Sequence, residues 1–136
     1  MEHKEEYTME ELQYMLQVYQ DRYRELSEEI KETAAFVGAM HSAEKVLENL
    51  ESLENKNTLI NVGGGLYLNA KIEKLQNVAV EIGANLIVEK GKEEAAELLK
   101  SKIEKHTELM NKMMGETKQI EEAIYNLSVQ MRKTEG

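Results

Sequence analysis

The chain has 136 residues, about one domain, and its 32% charged and 41% hydrophobic content favours an ordered protein over a disordered one. The formal charge of −9, with Lys and Arg interspersed among carboxylates, argues against nucleic acid as a partner, since phosphate contact needs clustered cations. No Cys means no disulfide or thiolate ligand, and no stretch approaches the roughly 18 apolar residues of a membrane span.

Met1-Glu2-His3-Lys4-Glu5-Glu6 has no apolar run like that of a signal peptide, so a cytoplasmic protein without a membrane partner is expected. The lack of Pro permits helices of unusual length. With 5% aromatics and Phe36 as the sole Phe, material for a globular core is thin but adequate for a two-helix seam.

Thr8 followed by Glu11 predicts a capping box opening the first helix. From Met9, the positions Leu12, Leu16, Tyr19, Tyr23, Leu26, Ile30, Thr33, Val37, Met40, Glu44 and Leu47 alternate spacings of three and four, the mark of a coiled-coil heptad seam. This predicts a helix over 9–53, fading where Glu54-Asn55-Lys56-Asn57 supply helix-ending polarity.

Over 58–90 the period changes to two. Leu66, Leu68, Ala70 and Ile72 alternate with Tyr67, Asn69 and Lys71, and Val78, Val80 and Ile82 alternate with Ala79 and Glu81. With Thr58–Val62 and Asn85–Lys90 as two more strands and Gly63-Gly64-Gly65, Glu73–Asn77 and Gly83-Ala84-Asn85 as turns, two β-hairpins are predicted. Two isolated hairpins are marginal in water, so this segment is expected to complete its sheet with copies from other chains. Oligomerisation is assigned to Ile60, Val62, Leu66, Leu68, Ile72, Val78, Val80, Ile82, Leu86 and Val88.

A second seam runs Ala96, Leu99, Ile103, His106, Met110, Met113, Thr117, Ile120, Ile124, Leu127 and Met131, predicting a helix over 93–133. Each helix would be about 60 Å long. Matching lengths predict an antiparallel pair in which facing residue numbers sum to roughly 144. The fold class is therefore α+β: one domain over 1–136, a long antiparallel two-helix coiled coil with two central β-hairpins expected to complete their sheets between subunits.

No catalytic constellation or cofactor site is read. Gly63-Gly64-Gly65 lacks the following Lys-Ser/Thr and helix of a phosphate cradle, and is a turn. His106 lies on the seam as a packed or register-setting residue, and His3 and His41 have no partner at metal-ligand spacing. The carboxylates sit beside Lys at helical spacings, as in Glu28-Glu29 with Lys31 and Glu32, and belong to solvated faces. Asn126-Leu127-Ser128 matches a glycosylation sequon, but Leu127 is on the seam. Met110 and Met113 are assigned to seam packing, with Met114 beside it undecided.

Helix, two hairpins and helix resemble the prefoldin α-class subunit over essentially the whole chain. The specific match is Gly65-Leu66-Tyr67-Leu68-Asn69-Ala70-Lys71-Ile72, then Val80-Glu81-Ile82-Gly83-Ala84-Asn85 and Val88-Glu89-Lys90. The resemblance implies a non-enzymatic chaperone whose hairpins build a double β-barrel with β-class subunits, two α with four β. The family often has Pro before the Gly-rich turn, where this chain reads Ile60-Asn61-Val62-Gly63, so self-assembly into filaments, as in a divergent α-like subtype, stays open. It also implies ATP-independent capture of unfolded clients at the coiled-coil tips and delivery to a group II chaperonin. The tip residues available for capture are Tyr7, Met9, Leu12, Tyr14, Met15, Ile124, Leu127 and Met131, Met being suited to varied apolar partners. The competing reading is a structural filament-forming or adaptor coiled coil with a dedicated partner.

Overall fold

In a computed structural model of the chain, residues 6–73 and 77–135 are described. Helix α1 (Met9–Glu48) is followed by a short α2 (Leu50–Leu53), strands β1 (Asn57–Gly63), β2 (Leu66–Lys71), β3 (Asn77–Gly83) and β4 (Leu86–Gly91), and helix α3 (Lys92–Glu135). The capping box forms at the start of α1. The Thr8 amide donates to Glu11 Oε2 at 3.0 Å and the Glu11 amide to Thr8 Oγ1 at 3.2 Å, satisfying two helix-end donors reciprocally.

The helix predicted over 9–53 is divided. Asn49, at φ −108° and ψ 21°, leaves helical geometry, and the Lys45 carbonyl accepts both its backbone amide at 3.2 Å and its side-chain amide at 2.9 Å, closing α1 before α2. Asn55, at φ +59°, then turns the chain and donates its amide to the Ile72 carbonyl at 2.6 Å. α3 begins one residue earlier than predicted and extends to Glu135.

The described residues fall into two compact units. One contains the residues up to Phe36 and those from His106 on; the other is Val37–Lys105. In the first, the cluster Leu26, Met113 and Ile120 is buried, with Tyr19, Ile30 and Ile124 packed against it. Tyr23 meets Glu121 at the residue sum expected of the antiparallel seam. Arg22 pairs with Glu116 through both forks of its guanidinium, Nε to Oε1 at 2.9 Å and Nη2 to Oε2 at 3.2 Å, and reaches Glu25 at 3.3 Å. That bidentate geometry fixes register as well as adding attraction. It also holds the Glu116 carboxyl below the usual carboxylate range, chiefly by the side-chain hydrogen bond from Arg22.

In the second unit, Val37, Met40, Leu47, Leu50 and Ala95 are buried. Each hairpin is a separate two-stranded sheet, β1 with β2 and β3 with β4. The two are copies of one plan, offset by 20 residues. Asn57 faces Lys71 as Asn77 faces Gly91, Gly63 faces Leu66 as Gly83 faces Leu86, and both carry a bulge at the same place. Gly64 and Gly65, and likewise Ala84 and Asn85, all have positive φ, as a two-residue hairpin loop matching strand twist requires. Lys102 Nζ donates to the Glu81 carbonyl at 3.0 Å, tying α3 to β3. Of the turn expected over 73–77, residues 74–76 lie outside the described residues.

Candidate functional site

Two surfaces present apolar side chains that the chain itself does not cover. The first is on the hairpins. Period-two alternation and register put Ile60, Leu68, Val62 and Leu66 on one face of β1–β2, and Val78, Val80, Val88, Ile82 and Leu86 on one face of β3–β4. Of the residues assigned to oligomerisation, Ile60, Val62, Leu66, Leu68, Ile82 and Leu86 are exposed, and Ile72, Val78, Val80 and Val88 are half-buried. The opposite faces carry Leu59 and Tyr67 in one hairpin and Ile87 in the other, also exposed. Half the exposed large apolar side chains of the described residues thus belong to these strands. Apolar surface on both faces, beside unpaired strand edges, is the character of an interface rather than of a solvated sheet.

The second surface is formed by the terminal turns of α1 and α3. The predicted tip residues divide there. Tyr7 and Tyr14 are exposed, Met9, Met15, Ile124 and Met131 are half-buried, and Leu12 and Leu127 are in the seam at 1% and 5% exposure. The same heptad positions that drew attention to Leu12 and Leu127 bury them, so they reach a partner only if the last turns open. Sequence reasoning passed over Tyr125, which is exposed on α3 outside the seam. Its position just after the seam residue Ile124 was the available signal.

The other side chains singled out from the sequence take structural places. Gly63 and Gly65 have φ of +97° and +79° and lead into strand β2, not a helix. His106 is half-buried with its ring centroid 4.9 Å from that of Phe36, and His41 Nδ1 lies 2.9 Å from Glu44 Oε1; His3 lies outside the described residues. Ser128 of the sequon donates to the Ile124 carbonyl within α3. Met113 is buried, Met110 half-buried, and Met114 faces solvent. Among the described residues, no group of three or more His, Cys, Asp or Glu is placed to hold a metal, and no helix is long and apolar enough to cross a membrane.

Two long helices joined through two separate hairpins, with apolar strand residues left exposed, have the make-up of a coiled-coil assembly subunit. The family model described as "Prefoldin subunit" matches residues 12–135, and the chain belongs to the prefoldin family. It is 31% identical over 109 residues to prefoldin subunit alpha of Thermofilum pendens, covering 79% of this chain and 84% of that one. It is also 26% identical to a probable prefoldin subunit 5 of Dictyostelium discoideum, over 78% of this chain and 66% of that one. The fold is similar to a solved structure of filamentous PFD from Methanocaldococcus jannaschii, with a TM-score of 0.71 and 24% identity over 84% of this chain and 95% of that one. The chain is an α-class subunit with a chaperone role, in a family of non-enzymatic chaperones that assemble from several subunits.

Proposed function

We propose that this chain serves, in the cytoplasm, in an ATP-independent chaperone complex that captures non-native polypeptide at the terminal turns of α1 and α3 and passes it to a group II chaperonin. The hairpins close an intersubunit β-barrel, with β-class subunits as α2β4 or with copies of this chain, and the helix pairs carry the capture surface. The observation that carries this reading is the exposure of Tyr7 and Tyr14 beside Met9 and Met15 on the terminal turns, at a distance along the chain from every strand. Rigid aromatic and flexible thioether side chains suit varied clients better than one dedicated partner. Self-assembly is the second reading. It is favoured by the fit to the filamentous PFD structure and by the two hairpins of matched register, which give each chain two alike pairing units.

The test is light scattering of a denatured client diluted into buffer with the assembled complex, intact or with residues 1–15 and 122–136 removed. Each apolar side chain covered by a client contributes about 1.5–3 kcal/mol at full burial, so losing several at once should abolish protection. Assembly, read as native mass, should survive. Equal protection by the trimmed complex would move capture elsewhere, and dependence on ATP would reject the passive mechanism.

A further inference from the structure

Both helices of the first unit carry the same constellation, two adjacent carboxylates followed three places later by a tyrosine. In α1 it is Glu10-Glu11-Leu12-Gln13-Tyr14 and in α3 Glu121-Glu122-Ala123-Ile124-Tyr125. Residues three and four apart share a helix face, so each ring stands over its own pair of carboxylates. Tyr14, at 72% exposure, and Tyr125, at 68%, are the most exposed large apolar side chains among the described residues. Each lines a shallow groove with its two carboxylates, Tyr14 with Tyr7 and Met15, and Tyr125 with Lys118 and Asn126.

The carboxylates are only lightly committed. One oxygen of Glu11 accepts the Thr8 amide, and Glu121 accepts the Tyr23 hydroxyl at 3.5 Å. Among the described residues no Lys or Arg pairs with any of the four; neither Lys118 nor Arg132 and Lys133 at the end of α3 come within ion-pair distance. A ring face is negative, and beside two carboxylates it attracts an ammonium or guanidinium while Met15 and the ring body accept aliphatic carbon. Lys and Arg have both parts, a charged head on an apolar stem. An acidic chain complements such a partner at long range as well.

We propose that the terminal turns bind non-native segments in which Lys or Arg stands among apolar residues, in preference to equally apolar acidic segments. This rests on the capture reading above and names its client class. The probes are three unstructured, fluorescently labelled peptides of identical Leu and Phe content, whose remaining positions are Lys, Gln or Glu. They are titrated by anisotropy against the assembled full-length complex. The Lys peptide should bind about tenfold more tightly than the Glu peptide at low salt, with the gap closing at about 1 M salt, where the screening length is about 3 Å. In the complex carrying Glu10→Gln, Glu122→Gln, Tyr14→Leu and Tyr125→Leu, the ratio of Lys-peptide to Glu-peptide affinity should fall below about twofold, whatever the Gln peptide's own affinity becomes. Native mass and far-UV circular dichroism verify that this variant is assembled and helical. Equal binding of Lys and Glu peptides by the unaltered complex overturns the charge preference and leaves passive capture standing. Full preference in the substituted complex overturns its assignment to these side chains. No binding of any peptide overturns the capture reading with it.

Discussion

Replacing Leu26 by Ala probes the seam where its burial is complete. Leu26 is 0% exposed and sits in one cluster with Met113 and Ile120, with Tyr19, Ile30 and Ile124 around it. The substitution removes roughly three methylene equivalents, about 2.4 kcal/mol of transfer free energy at ~0.8 kcal/mol each. The cavity adds to that, and the total should fall within the ~2–5 kcal/mol range of buried Leu→Ala changes. Two helices in a seam can close on a void more readily than a multilayer core, so we place the value near 3 kcal/mol. The assay is far-UV circular dichroism during urea unfolding, with Val18→Ala as control. Val18 is on the same helix but exposed, and its truncation should cost less than about 0.5 kcal/mol. Native mass should be unchanged by either substitution. Equal losses for the two variants, or none for Leu26→Ala, would show that the heptad stripe is not the stabilising contact.

Changing Val80 and Ile82 to Asp should give monomers that stay helical by circular dichroism, because α1 and α3 complete their own seam while the hairpins do not close alone; an unchanged native mass would count against the strands as the assembly element. Ala84→Gly should stabilise by about 0.5–1 kcal/mol in thermal melts, since relief of the left-handed backbone at φ +49° exceeds the added unfolded-state entropy; the matching position in the first hairpin is already Gly64. The Arg22–Glu116 pair depresses the Glu116 pKa, so its contribution is full above the ordinary Glu value of about 4.3 and is lost as pH falls through the lower folded value. Glu116→Gln should therefore melt slightly below the parent at pH 7 and together with it in strong acid, and a gap that persists in acid would refute this origin. Both side chains are more than 40% exposed, so the effect should be small and should shrink with salt.

Elements with one strong period were legible. Three-and-four spacing marked every seam position of α3, and all are buried or half-buried; period two marked both hairpins. The break at Asn49 was not legible, because it is a change in one residue's backbone dihedrals that leaves the apolar pattern unchanged. The second hairpin face was missed for a different reason. The residues assigned to assembly were drawn from one set of alternate strand positions, whereas Leu59, Tyr67 and Ile87 put exposed apolar surface on the other.

The terminal turns expose a deeper conflict in using periodicity to find a binding surface. Heptad analysis selects residues by their fitness to face the partner helix, and that fitness is what removes Leu12 and Leu127 from any other partner. Tyr14 and Tyr125 lie outside the seam and gain nothing from it, yet large aromatic rings left in water offset none of their hydration cost until something else covers them. On the capture reading proposed above, the two most exposed rings open to a client, Tyr14 and Tyr125, come from positions that the seam pattern discards.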